Sequence, residues 1–340
     1  MRTITLGSTG IETIQNAFGA LPIQRVSDDE AVAILHAAYE GGMRYFDTAR
    51  AYSDSEHKLG LAFSGMRDQI YIATKTMAKT PEDFWADLER SLSELQTDYI
   101  DVYQFHCVSQ VWRPGDGTGM YECMLEAKEQ GKIRHIGVTA HLLNVAFELV
   151  DSGLYELLQF PFSYLSEERE IKLVQACADA DMGFVCMKGM AGGLITCSEA
   201  AMAFMSEYDV LPIWGIQKMG ELDEWLSFNR ETPALTLDIQ AFIERERTEL
   251  AGDFCRGCGY CMPCTQEIAI NTCARMSLLL RRAPSATWLS ERWQSEMAKI
   301  DECSDCGVCM SRCPYQLKVP ELLRKNLADY RAILAGEVTV

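Results

Sequence analysis

Residues 70–106 read IYIATKTMAKTPEDFWADLERSLSELQTDYIDVYQFH. The two ends, IYIATK and IDVYQFH, are short and rich in β-branched and aromatic residues, which suits strands. Between them, PEDFWADLERSLSELQ places Phe84, Leu88, Leu92 and Leu95 three or four residues apart, the spacing of a helix with one apolar face. A strand, a helix and a second strand joined in this way predict parallel pairing. The same alternation extends outward in both directions. Strands are expected in IQNAFGAL, MRYFD, IRHIGVT, LLQFPF, GFVCMK and VLPIWGI. Helices are expected in DDEAVAILHAAYEGG, SEHKLGLAFSG, GMYECMLEAKEQG, NVAFELVDSG, SEEREIKLVQACADADMG, CSEAAMAFMSEY and GELDEWLSF. Eight strand–helix pairs within residues 1–235 predict a (β/α)8 TIM barrel. The opening TITLGSTGIE reads as a short hairpin closing the barrel floor.

Beyond residue 235 the strand pattern stops. Residues 236–340 are expected to form a second, mostly helical domain, entered through LTLDIQAFIERERTELAG and ending in the amphipathic VPELLRKNLADYRAIL. The 340-residue chain is 48% apolar, enough for a sizeable core, and its formal charge is −18. That charge argues against nucleic acid and anionic membrane surfaces as partners. No apolar run approaches the length of a membrane span, and the N-terminus lacks a secretory h-region, so the expected compartment is the cytoplasm. In that compartment the 14 cysteines are to be read as metal chemistry or burial rather than as disulfides.

Chemistry in such a barrel gathers at the C-terminal strand ends. Asp47 ends the second predicted barrel strand, Tyr52 follows in the next loop, Lys75 ends the third strand and His106 ends the fourth. A free tyrosine is too weak an acid for neutral pH, and a neighbouring ammonium is expected to lower its pKa. Asp47 would hold that ammonium in place, and His106 could polarise a substrate oxygen. Each residue alone has a structural reading, as a satisfied core group. His57, His135 and His141 lack such context, although His141 follows a strand and could reach the site.

The segments DTARAYSDSEHKLG, ATK, DYIDVYQFH and KIRHIGVT resemble the aldo-keto reductase family, in order and at its spacing. The resemblance implies a tetrad of Asp47, Tyr52, Lys75 and His106, with Tyr52 as the proton donor to a carbonyl that receives hydride. It also implies that Thr139, Gln159, Met187 and Lys188 line a nicotinamide site. After the eighth strand the family's NADP-binding members carry a basic residue, where this chain has Glu221, with Lys218 the one nearby cation. This pattern implies NAD(P)(H), with NAD slightly favoured over NADP. In the loop after the fourth strand, Trp112 and Arg113 could supply an apolar wall and an anion anchor, or be surface residues.

The sequence CRGCGYCMPC carries Cys255, Cys258, Cys261 and Cys264, and CSDCGVCMSRCP carries Cys303, Cys306, Cys309 and Cys313 followed by Pro314. The second matches the C-x2-C-x2-C-x3-C-P run of bacterial ferredoxins, and the first is a variant shortened by one residue. Two [4Fe-4S] clusters suit this pattern better than tetrahedral zinc. In two-cluster ferredoxins the fourth cysteine of each run serves the other cluster, so one set would be Cys255, Cys258, Cys261 and Cys313. The other would be Cys303, Cys306, Cys309 and Cys264, with Cys273 an alternative to Cys264. Cys107, Cys123, Cys177, Cys186, Cys197 and Cys273 are expected to be buried apolar residues, although Cys107 follows His106 and could line the pocket. The cysteine runs resemble the signature of an aldo-keto reductase subgroup with a C-terminal ferredoxin-like addition.

Three functions remain in view. The first is an oxidoreductase interconverting a carbonyl and an alcohol, with Tyr52 as acid–base and the clusters relaying electrons to or from ferredoxin or another redox protein. The second is an NAD(P)H-dependent reductase whose clusters are structural. The third is a non-catalytic electron-transfer or redox-sensing subunit.

Overall fold

Parallel pairing of β-branched segments builds the first unit of the computed structural model, which describes residues 2–250, 254–282, 285–313 and 315–339. The opening hairpin pairs β1 (Thr3–Thr5) with β2 (Glu12–Ile14) antiparallel. Eight further strands follow: β3 (Ala17–Gly19), β4 (Tyr45–Asp47), β5 (Tyr71–Thr76), β6 (Ile100–Val108), β7 (Ile133–Ala140), β8 (Leu157–Pro161), β9 (Gly183–Met187) and β10 (Leu211–Gly215). They close into a barrel in chain order, with β10 returning to pair parallel with β3. Each strand meets its neighbours through parallel register, as the strand–helix alternation predicts.

The intervening helices are α1 (Asp28–Glu40), α2 (Ser55–Phe63), α3 (Pro81–Glu94), α4 (Met120–Glu129), α5 (Leu143–Ser152), α6 (Glu168–Asp179), α7 (Ser198–Met205) and α8 (Met219–Arg230). In α3 the buried residues are Phe84, Leu88, Ser91 and Leu92, one face of the helix. Thr80 caps its first turn by accepting from the Asp83 N–H at 3.2 Å. Inside the barrel, Tyr45, Ala73, Val102, Leu157, Val185 and Leu211 pack with Ile4, Leu6 and Ile11 of the hairpin. The hairpin therefore plugs the barrel floor with apolar side chains and keeps water from the strand interiors.

The second unit holds α9 (Leu237–Glu249) from Gln240 onward, α10 (Ile270–Cys273), α11 (Met276–Arg282), α12 (Ser285–Trp288), α13 (Glu291–Ala298), α14 (Val308–Ser311) and α15 (Val319–Leu334). Among its described residues from 240 onward there are helices and loops and no strand. Its core includes Ile268, Met276, Leu280, Met297, Ile300, Leu323 and Tyr330. Buried Asn326 donates to the Ala274 and Leu322 carbonyls at 3.2 and 2.8 Å and accepts from the Ser277 N–H at 2.8 Å. That polar group is thereby satisfied rather than stranded.

The chain divides into Met1–Gly189 with Ser198–Ile239, and Met190–Cys197 with Gln240–Val340. The sequence boundary at 235/236 falls four residues before Ile239. The assignment of Met190–Cys197 to the second unit has no signal in local composition, because it depends on contacts far along the chain.

Candidate active site and cysteine-lined cavities

Parallel register brings the strand-end residues together. Lys75 Nζ donates to both Asp47 carboxylate oxygens, at 2.7 and 2.8 Å, and to the Thr48 carbonyl at 2.5 Å. Both side chains are almost wholly buried, Lys75 at 1% and Asp47 at 2% exposure. Removing either partner would leave an uncompensated charge. Burial pushes the Asp47 carboxyl above its usual range, against the pull of Lys75 and of the Gln159 and Gln104 amides. The Tyr52 ring lies 5.3 Å from Lys75 Nζ and meets the His106 ring edge-on at 5.8 Å between centroids.

The loop carrying Tyr52 is pinned from below by residues the sequence reading passed over. Ser55 Oγ donates to the Ala20 carbonyl at 2.9 Å and accepts from Thr48 Oγ1 at 2.8 Å. Buried Glu56 accepts from Thr74 Oγ1 and Ser91 Oγ at 2.5 and 2.8 Å and pairs with Arg50. Buried Lys58 reaches the Val26 carbonyl and Asp54, each at 2.8 Å. All sit in the quoted DTARAYSDSEHKLG stretch, whose density of short polar residues was the available signal.

The expected lowering of the Tyr52 pKa is not what the site produces. Burial pushes the phenol well up, and the Asp47 carboxylate and the Cys107 thiol push the same way. Burial of the phenol is the main reason, and the Lys75 ammonium is held by Asp47 and the Thr48 carbonyl rather than by the phenol. Tyr52 therefore stands protonated.

His106 is aimed by a β-bulge. The β6–β7 register shifts between Phe105 and Val108, and Cys107 takes φ +56° while its N–H donates to Thr139 Oγ1 at 2.7 Å. Burial, then the Lys75 charge, pushes His106 down to about 3, so the imidazole is neutral. His106 Nδ1 is buried without a partner. His141 is buried with its Nδ1 3.8 Å from Cys107 Sγ, and burial, then Lys188 and His106, pushes it to about 3. Cys107 is partly exposed rather than packed away, and lines a cavity of about 860 Å³ with Thr76, Met77, His106 and Trp112. Arg113 is exposed and does not line it. Cys197 is also partly exposed, whereas Cys123, Cys177, Cys186 and Cys273 are buried. His135 and His57 pair with Glu156 and Glu94 at 2.8 and 3.5 Å.

A base whose folded pKa lies below its unfolded value, about 6.5 for histidine, stabilises the fold above that value. The contribution is lost as pH falls from about 6.5 toward 3. His141→Asn should therefore show a shallower fall in thermal stability between pH 6.5 and 4 than the parent. Thermal unfolding followed by circular dichroism checks this, and parallel pH profiles would contradict it.

The residues expected around a nicotinamide lie along β7, β8 and β9. Thr139 and Gln159 are partners across the β7–β8 register and both are buried. Gln159 Nε2 is 3.4 Å from Asp47, while its Oε1 is buried and unpartnered. The unpartnered Gln159 Oε1 and His106 Nδ1 are two buried polar atoms that a ligand bearing a carboxamide and a reactive oxygen could satisfy. Met187 ends β9, and Lys188 follows at φ +59°. Glu221 Oε2 accepts from the Gln217 and Lys218 N–H groups at 2.9 and 3.2 Å, a capping box that commits this oxygen to the start of α8. Lys218 is not the one cation there. Arg25 Nη1 reaches Gln217 Oε1 at 3.5 Å, because β3 and β10 are neighbours in the closed barrel.

In the second unit the eight cysteines ring two cavities. Cys255, Cys258, Cys261 and Cys313 line one of about 360 Å³. Cys264, Cys303, Cys306 and Cys309 line another of about 420 Å³, which Cys261 also borders. Four cysteines lining one cavity are the donor set of a multi-iron cluster. Among the described residues, no three His, Cys, Asp or Glu side chains group closely enough for a single ion. Cys273 lines neither cavity and turns its thiol toward the Glu296 carbonyl at 3.9 Å. Pro314 lies outside the described residues.

Among the described residues, no helix is long and apolar enough to cross a membrane. The aldo/keto reductase family model matches residues 4–223, and a 4Fe-4S dicluster domain model matches residues 254–318. The methylglyoxal reductase DkgB of Salmonella typhi is 39% identical over 166 residues, 46% of this chain and 60% of that one. The aldo-keto reductase YhdN of Bacillus subtilis is 30% identical over 219 residues, 58% and 64% of the two chains. The chain thus spans about three-fifths of the length of these relatives. Two solved structures share the fold. An aldo-keto reductase from Bacillus halodurans in its holo form has TM-score 0.64 at 22% identity over 72% of this chain and 96% of that one. One from Klebsiella pneumoniae in complex with NADPH has TM-score 0.61 at 20% identity over 72% and 95%. With its barrel and a family match over most of its length, this chain belongs to the aldo-keto reductase family, and it carries a 4Fe-4S dicluster domain after the barrel.

Proposed function

We propose that the protein is an oxidoreductase interconverting a small carbonyl compound and its alcohol, with Tyr52 as the acid–base group and the two clusters relaying electrons to or from a redox protein. The observation that carries this reading is the buried Lys75–Asp47 pair beneath a protonated Tyr52, with neutral His106 at its edge. When bound, a nicotinamide would supply hydride and the clusters single electrons. Asp47 holds Lys75 in place, which keeps a cation near the Tyr52 ring. His106, neutral and with a free ring nitrogen, orients the substrate oxygen. Tyr52 gives its phenolic proton to that oxygen as negative charge develops, and the phenolate left behind faces the Lys75 ammonium until water returns the proton.

Gln159 and Thr139 would hold the carboxamide side of the nicotinamide, with Met187 and Lys188 alongside. Arg25 beside Lys218 supplies two cations at the loop where a 2′-phosphate would lie, and Glu221 is engaged in capping. This weakens the preference for NAD drawn from Glu221 alone. Methylglyoxal is the first substrate to try, because relatives carry that activity in their names. The cluster ligands would be the two cavity sets, with Cys264 rather than Cys273 in the second.

The NADPH-bound structural relative favours the second reading, a nicotinamide-dependent reductase with structural clusters. Anaerobic addition of NADH, then NADPH, to the cluster-loaded protein separates the two. Bleaching of the cluster absorbance is the expected result of an electron relay. Absorbance that persists with both, yet falls with dithionite, would defeat a relay fed by nicotinamide and leave two readings: a nicotinamide enzyme with uncoupled clusters, or a barrel fed only by a protein donor.

A further inference from the structure

Arg275 lies between α10 and α11 and is only 8% exposed. It forms no ion pair with a carboxylate among the described residues. A guanidinium cannot shed its charge in a protein, and burying it without an anion is strongly unfavourable. Its Nη2 donates to the Gly192 carbonyl. Its Nη1 packs so closely on the backbone of Gly257 that a Cβ there would lie 2.6 Å away. Gly257 in turn donates its N–H to Cys255 Sγ at 3.3 Å. The charge of Cys255 acts on Arg275, and that of Arg275 on Cys255.

Arg282, seven residues on, makes the contrast. It also holds the 190–197 segment, through the Leu194 carbonyl at 2.9 Å, but is neutralised by Glu246 at 2.5 Å and Glu249 at 2.9 Å. Arg275 has the burial without the carboxylates. We propose that Arg275 is the counter-ion of the cluster held by Cys255, Cys258, Cys261 and Cys313, and makes it the higher-potential cluster of the two. This rests on the cluster assignment above.

A [4Fe-4S] core held by four thiolates is anionic and gains one further negative charge on reduction, so a fixed buried cation favours the reduced form. Arg256 lines the same cavity, but it is partly exposed and stacks over the Tyr315 and Phe254 rings at 4.2 and 4.9 Å. Water screens a charge in that position. The second cavity is lined by one charged residue among those described, the acidic Asp305, and its ligand Cys306 is exposed. Asp305 in turn pairs with Arg324, so among the described residues only the first cavity has a buried charge left without an ionic partner beside it. Through Gly192, the Arg275 guanidinium fastens the segment 190–197 to the loop that carries Cys255.

The test is a potentiometric titration of the holoprotein, followed by low-temperature electron paramagnetic resonance, with iron counted in every sample. In Arg275→Gln the higher of the two midpoint potentials should fall while the lower stays in place. Arg275→Lys should recover part of the shift, and Arg282→Gln should move neither potential. Unchanged potentials in a fully loaded Arg275→Gln protein overturn the proposal. If Arg275→Gln fails to load iron, loading restored by Arg275→Lys supports the requirement for charge. Failure in both variants assigns Arg275 to packing and overturns it. A parent protein that loads only one cluster overturns the underlying cluster assignment instead.

Discussion

Tyr52→Phe should lower carbonyl turnover by about 10²- to 10⁴-fold, the usual contribution of a positioned general acid, and leave the cluster absorbance unchanged. The substitution removes one oxygen and keeps the ring that meets His106 at 5.8 Å, so the pocket retains its shape. The proton cannot come readily from elsewhere. Lys75 is locked to Asp47 and the Thr48 carbonyl, and His106 is neutral down to about pH 3. Burial raises the Tyr52 pKa, so the phenol remains a donor throughout the neutral range and the proton leaves only as the alkoxide forms. Turnover should then show no inflection near the ordinary histidine value of about 6.5. The check is methylglyoxal reduction under saturating NADH or NADPH, against the parent protein. Turnover in Tyr52→Phe within tenfold of the parent would remove Tyr52 from the acid role.

Cys264→Ser should cost the protein about half of its iron, one [4Fe-4S] cluster of two, whereas Cys273→Ser should keep the full content. Cys264 lines the cavity shared with Cys303, Cys306 and Cys309, while Cys273 is buried away from both cavities. Ligand binding of this kind is coupled to folding. The residues around the cavity, among them Ile268, Ile270 and Leu323, also belong to the apolar core of the second unit. The loss should therefore appear as reduced thermal stability of that unit as well as a lower iron count. Iron and sulfide analysis after anaerobic reconstitution decides between the two cysteines. Half-loading in Cys273→Ser with full loading in Cys264→Ser would reverse the assignment.

Local pattern made a large part of this molecule legible. Each of the eight barrel strands was readable because β-branched segments flanked by one-faced helices have few ways to pack other than as a parallel sheet. Asp47, Lys75 and His106 could be picked out because each lies at or near the C-terminal end of a strand, and strand ends of a barrel converge. The cysteine runs were readable because their spacing is set by covalent reach around a cluster.

What the sequence left open depends on distance along the chain. Tyr52 looked as though Lys75 would acidify it, yet burial of the phenol, with the Asp47 carboxylate nearby, reversed the sign. Arg25 became a neighbour of Gln217 only when β10 closed on β3, nearly two hundred residues away. Arg275 carries no motif, and its meaning comes from being buried against Gly192 and Gly257 with no carboxylate paired to it among the described residues. By itself, then, the sequence determined the barrel architecture and the presence of a dicluster domain after it, since these follow from periodicity and spacing. The charge states and the residues that surround those groups were decided by tertiary structure, because desolvation and unpaired charge exist only after distant segments have excluded water from one another.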